Sequence, residues 1–152
     1  FILAAVLKDQ VYLQSARTLE KSRVLMIPSE NVRDSMHRDT AFMTAIVLEL
    51  ATCYRNLVKD LKNQKLRTGT ERLANWLLRT NRADGGTGTV ELKVGKKVLA
   101  SRLGMTPENL SRAFAALSPY GVEVNGPTIY LRDIDDLANL AKPSQLIDDH
   151  TT

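Results

Sequence analysis

The stretch LASRLGMTPENLSRAFAAL, residues 99–117, decides how the rest of the chain is read. A helix-turn-helix pattern opening at Lys96 accounts for each of its positions. Leu99, Leu103, Met105, Leu110 and Ala113 fall where two crossing helices bury a shared face. Ala100 is small at the point of closest approach. Gly104 supplies the positive φ that a three- or four-residue turn demands.

The second helix carries its own start signal. Thr106 can cap its N-terminus, and Pro107 fits the first position, where a missing N–H costs nothing. Helical geometry then puts Glu108, Ser111 and Arg112 on one face, opposite Leu110, Ala113, Phe114 and Leu117. Residues at the start of such a helix are the ones that reach base edges in a major groove. Arginine can pair with guanine O6 and N7, and glutamate can accept from cytosine N4. Glu108, Ser111 and Arg112 are therefore the candidate base readers. The competing reading is an ordinary αα-hairpin with a Glu108–Arg112 salt bridge one turn apart.

Downstream, VEVNGPTIYL reads as two short strands around Asn125-Gly126, a hairpin signal. Two strands after a helix-turn-helix make a wing. Asn125 and Thr128 at its tip can meet phosphate, as can Lys96, Lys97, Arg102, Thr106, Pro107 and Asn109 around the helices. A hairpin that only closes the small core is the plainer alternative.

Upstream, no Pro or Gly interrupts residues 39–67, and Asp39 or Thr40 can cap a helix there. About 28 residues of helix measure about 42 Å. Ile46, Leu50, Cys53 and Leu57 follow a 4-3-4 spacing, and Met43, Val47, Tyr54, Val58 and Leu61 widen the stripe. Such a helix packs on a partner, or is the buried centre of a monomer. Thr68-Gly69-Thr70-Glu71 then matches a capping box, so a new helix starts, with Leu73, Ala74, Trp76 and Leu77 on its buried face. TNRADGGTGT is a Gly/Thr loop and VELKV a short strand. Near the beginning, VYLQSART and RVLMI read as two strands over residues 11–27, and Ser29 starts a short helix.

The 152 residues suit one medium domain or two small ones. Net charge is +4 and pI about 9.3, mildly basic and compatible with nucleic acid. The aspartates that crowd the end, Asp133 to Asp149, read as a solvated acidic face. One cysteine excludes an internal disulfide and suits a reducing cytoplasm. Cys53 with the distant His37 and His150 cannot build a metal cage, so no metal site is expected. FILAAVL at the start is too short to span a bilayer, which argues against membrane attachment and reads as the interior of a larger domain. No nucleophile triad, paired carboxylate motif or phosphate-cradling loop appears, and DGGTGT lacks the Lys-Ser/Thr of a P-loop. The chain is not expected to be an enzyme.

The order of strands, long helix, capped helix, strand, helix-turn-helix and wing resembles the CRP/FNR superfamily of bacterial transcription regulators. ENLSR looks like the E-x-x-S-R recognition signature of the FNR-like branch, matched here by Glu108, Ser111 and Arg112. The resemblance implies an α+β fold in four parts. Residues 1–36 would end a cyclic-nucleotide-binding-like sensor β-barrel, and 37–67 would form the dimerisation helix. Residues 68–142 would be the winged helix-turn-helix, and 143–152 a tail. Met43, Ile46, Val47, Leu50, Cys53, Tyr54, Leu57 and Leu61 would make the dimer interface, and Thr68, Gly69 and Glu71 the hinge. Implied partners are a second copy, a near-palindromic double-stranded operator and RNA polymerase. Where cyclic-AMP-binding members hold an Arg-Ser pair, this chain has Val11-Tyr12, which argues against that effector. A single cysteine gives no support for an iron–sulfur cluster. Haem or another small-molecule effector stays open, with its ligands outside these residues. Pro107 departs from the bulkier or basic residue common in relatives. The alternative from another class is a winged-helix protein-docking module that never touches DNA.

Overall fold

The computed structural model describes residues 3–13, 15–18 and 20–149. They form two compact units, 1–55 and 56–152, which divide inside a long helix. The division lies upstream of the boundary expected at Thr68.

In the first unit, α1 (Leu3–Lys8) is tied to α2 (Ser29–Arg38) by Arg33, whose Nη1 donates to the Val6 carbonyl at 2.8 Å and reaches Asp9 at 3.1 Å. α3 (Thr40–Leu66) starts where the Asp39 carboxylate accepts the Phe42 amide at 3.0 Å, a side-chain cap on an orphan donor. The two strands expected within residues 11–27 are not formed among the described residues. Val24, Leu25 and Met26 stand exposed there. A strand needs a neighbour for its N–H and C=O groups, and an isolated pair is marginal in water. No further strand of this unit offers that pairing among the described residues.

The second unit holds the main core. After α3 come α4 (Gly69–Ala83), β1 (Thr89–Glu91), α5 (Lys96–Arg102), α6 (Pro107–Leu117) and a short 3-10 turn. Then follow β2 (Val122–Asn125), β3 (Thr128–Leu131), α7 (Ile134–Ala141) and α8 (Gln145–Asp148). The strands pair antiparallel in the order β1-β3-β2, with Val90 and Val124 opposite Ile129. Leu73 and Leu77 of α4, Leu99, Leu110, Leu117, Ile129 and Leu137 are fully buried together. Full burial of each such side chain contributes about 1.5–3 kcal/mol. The strand read in VELKV begins one residue earlier, at Thr89, and ends at Glu91.

Local signals set the element ends. Thr68 accepts the Glu71 amide and Glu71 accepts the Thr68 amide at 2.7 Å, the full capping box. That amide is the main cause holding the Glu71 carboxyl below its ordinary range. Gly126 (φ +60°) turns β2 into β3.

The acidic end is not merely a solvated face. Both Asp148 oxygens take hydrogen bonds from Arg67 at 2.7 Å, and the Lys59 ammonium donates to the Asp149 carbonyl. Asn75 Nδ2 donates to the Ala141 carbonyl at 2.6 Å. The segment after α7 thus straps the end of α3.

Burial pushes the Asp148 carboxyl up, but the Arg67 hydrogen bond, the Ser144 amide and the charges of Arg67 and Arg79 outweigh it. The group therefore sits below its ordinary range. Its stabilisation is present above the unfolded pKa and is lost as pH falls through the depressed folded value. Asp148→Asn should lower stability by about 1–3 kcal/mol at neutral pH. The gap between variant and native protein should close as pH falls through the depressed folded pKa of Asp148. Urea unfolding at neutral and acid pH checks this, and a gap that stays constant contradicts it.

Candidate nucleic-acid interface

The start of α6 is built from its cap outward. Thr106 accepts the Asn109 amide at 3.2 Å, and Pro107 occupies the first turn. Gly104 sits at φ +61°, and its amide bonds the Ser101 carbonyl at 3.1 Å while Met105 bonds Ala100 at 3.0 Å. The turn therefore closes α5 and launches α6 in the geometry the sequence required. Leu110, Ala113, Phe114 and Leu117 face inward.

Glu108, Ser111 and Arg112 are all exposed on the opposite face. Among the ion pairs of the described residues none joins Glu108 to Arg112, so the salt bridge of the plain hairpin reading is not formed. The Glu108 carboxyl is held below its ordinary range by its own backbone amide and then by the Thr106 hydroxyl. Ser111 donates to the Pro107 carbonyl at 3.1 Å, which leaves its oxygen free to accept. Arg112 borders a groove of about 790 Å³ with Gly69, Thr70, Arg72, Gly104, Thr106 and Asn109.

The expected phosphate contacts divide. Lys96, Lys97, Thr106, Pro107, Asn109 and Asn125 are exposed, and the Lys96 ammonium lies 5.9 Å from the Phe114 ring centre. Thr128 is half-buried and donates to the Glu91 carboxylate at 2.6 Å, which places a negative charge beside the wing tip. Arg102 borders a different cleft, with Asp60, Asn63, Trp76, Arg79 and Asp148.

Along α3 the apolar residues fall into two sets. Ile46 is buried in a cleft with Val32, Asn31 and Phe42 of its own unit, which removes it from any surface free for a partner. Met43, Val47, Leu50, Tyr54, Leu57 and Leu61 repeat at 4-3-4-3-4. Leu50 is half-buried, and the others are 41–69% exposed. That repeat has the 3.5-residue period of a coiled-coil seam. Cys53 is half-buried beside it, its sulfur 3.8 Å from Glu49. By length and composition alone α3 is also apolar enough to cross a membrane.

Sequence reasoning missed Arg72, Asp148 and Lys59. Arg72 Nε donates to the Leu103 carbonyl at 2.8 Å, and its Nη1 to the Arg67 carbonyl at 2.7 Å. Leu103 lies 31 residues from Arg72, and Asp148 lies 81 from Arg67, so no local pattern announces them. No group of three or more potential ligands gathers into a metal site among the described residues.

The fold is that of a winged helix-turn-helix preceded by a long helix. Residues 71–140 match the Crp-like helix-turn-helix domain. A candidate cAMP-binding regulatory protein from Silicibacter pomeroyi is 34% identical over 77% of this chain and 51% of its own, with a TM-score of 0.56. FixK2 from Bradyrhizobium japonicum is 22% identical over 78% and 61%, at a TM-score of 0.61. A candidate Crp/Fnr-family transcriptional regulator from Eubacterium rectale is 21% identical over 78% and 54%, at 0.65. The chain thus spans only about half to three-fifths of these relatives' length. No curated protein matches it. Residues 71–140 thus carry a Crp-like helix-turn-helix domain, and the structures at 21–22% identity share its fold. The fold class is the expected α+β one, consistent with the end of a cyclic-nucleotide-binding-like barrel followed by a long helix and a winged helix-turn-helix.

Thr106→Ala should cost about 1 kcal/mol in unfolding free energy through the lost cap. It should also let the Glu108 carboxyl titrate nearer its ordinary range, and Thr106→Ser should keep both properties. Denaturant unfolding and an NMR pH titration read the two effects, and an unmoved Glu108 would refute the Thr106 contribution.

Proposed function

We propose that this protein is a homodimeric, sequence-specific, DNA-binding transcription regulator of the Crp/Fnr type, acting in the cytoplasm and not as an enzyme. The observation that carries the reading is the exposed face of α6. Glu108 and Arg112 project from the capped start of a helix, unpaired with each other, and Lys96 and Lys97 at the start of α5 are exposed. That is the arrangement that enters a major groove. Glu108, Ser111 and Arg112 read base edges in an E-x-x-S-R manner, while Lys96, Lys97, Thr106, Asn109 and Asn125 hold phosphates. Thr128 contributes less, because its hydroxyl donates to the Glu91 carboxylate, and Arg102 contributes less because it borders a separate cleft.

Two copies pair along Met43, Val47, Leu50, Tyr54, Leu57 and Leu61. The exposed heptad supports this, and residues 68–142 then form a DNA-reading domain on each side of the pair. Two recognition helices about 34 Å apart meet successive major-groove faces of a near-palindromic operator. RNA polymerase is the partner through which such a protein acts on transcription. Val11 and Tyr12 bring no cation to a nucleotide phosphate, which favours an effector other than cyclic AMP.

Selection of bound oligonucleotides from a random pool tests the reading, with a paired half-site as the supporting result. Recovery of no sequence, and no shift of random DNA at low salt, would favour a protein-docking module instead. Arg112→Ala should cost about 1–3 kcal/mol on the selected site and flatten preference at one guanine. Lys97→Ala should weaken all sequences alike and reduce the salt slope by roughly one. Equal losses for Arg112→Ala on selected and scrambled DNA contradict its role.

Leu57→Glu places a charge in the seam of each copy and should shift the protein from dimer to monomer at micromolar concentration. Sedimentation equilibrium reads the change, and a dimer that persists unchanged removes α3 as the interface.

A further inference from the structure

The last turns of α3 and the turn that launches α6 are joined by two arginines. The Arg67 side chain is only 7% exposed and holds both Asp148 oxygens, with Asn63 Oδ1 at 3.1 Å from Nη1. The Arg67 carbonyl in turn accepts from Arg72. Arg72 donates to the Leu103 carbonyl at 2.8 Å and points its third nitrogen at the Gly104 carbonyl, 3.4 Å away. Leu103 and Gly104 are the turn itself. From the other side, the Gln64 side chain lies 3.5 Å from where a β-carbon on Gly104 would stand. A guanidinium is planar, permanently charged and fixed in its donor geometry, so it sets angles that a flexible ammonium would not.

We propose that Arg67 and Arg72, anchored by Asp148, are positioning residues that lock α6 to the end of α3. None of the three needs to touch a ligand. The functional consequence rests on the DNA-binding reading above: the lock restricts the half-site spacing that a dimer accepts. Pairing along α3 fixes the two long helices. A stiff link from α3 to α6 turns that fixed geometry into one separation between recognition helices. A loose link would let each reader find its half-site over several spacings.

The coupling is read first without DNA. Hydrogen exchange is followed in the intact protein and in Asp148→Asn, which keeps every core side chain. Arg72→Gln serves as the direct break, with its folding checked by circular dichroism. The amides of Gly104 and Met105 are hydrogen-bonded within the turn and do not touch Asp148. Both should exchange faster in Asp148→Asn by a several-fold larger factor than Ile129 in the sheet, whose exchange reports the loss of global stability. Faster exchange confined to residues 142–149 and Arg67 overturns the lock. The second arm compares affinity for operators with the selected spacer and with one base pair added or removed. Native protein should discriminate, and Asp148→Asn should lose about tenfold of that discrimination while keeping its preference within each half-site. Unchanged discrimination beside faster turn exchange overturns the spacing role alone. If native protein binds no spacer at all, the DNA reading fails, and the exchange result still decides the coupling.

Discussion

Arg72 satisfies the carbonyls of Arg67 and Leu103 and leans on that of Gly104 with a single side chain. These oxygens belong to the ends of two helices, α3 and α5, where the last carbonyls have no partner along the helix. Left buried and unmet, each would cost about 1–3 kcal/mol. One guanidinium meets them together, and in doing so brings two chain reversals side by side. The capping box at Thr68–Glu71 then starts α4 from one reversal, and the Thr106 cap starts α6 from the other. The exposed face of α6 is aimed by what happens behind it.

The same economy explains which features could be read in the sequence. Caps, the glycine turn and the hairpin are local: each depends on residues within a few positions, so Thr106-Pro107, Gly104 and Asn125-Gly126 announce themselves. The buried faces of α4, α5 and α6 follow from helical period. Arg67–Asp148 spans most of the second unit, and nothing in the run of aspartates near the end marks Asp148 as different from Asp135 or Asp136. Only the packed structure brings one of them to a buried arginine. The strands expected over residues 11–27 fail for the converse reason. RVLMI has the residue types of a strand, but strand pairing is a property of neighbours and not of the segment.

The stripe on α3 shows how one apolar pattern can be divided between two faces. A 4-3-4 run can be started at Ile46 or at Met43, because on a helix those positions lie one turn apart. Burial separates them: Ile46 is covered by α2 residues, whereas Val47, Tyr54, Leu57 and Leu61 are open to solvent. The open set alone keeps a 3.5-residue repeat across the full run.

That repeat also discriminates between the two environments an exposed apolar helix can be made for. A helix built for lipid is apolar around its whole circumference, since every face meets hydrocarbon. On α3 the positions off the seam include Glu49, Arg55, Lys59 and Asp60, and Lys59 is buried against the carbonyl of Asp149. A bilayer would strip water from those charges, at a cost of several kcal/mol each, whereas a second helix along the seam leaves them at its margin or within their present contacts. The exposed heptad positions thus form a stripe bordered by charges, with Leu48 and Leu66 exposed outside it.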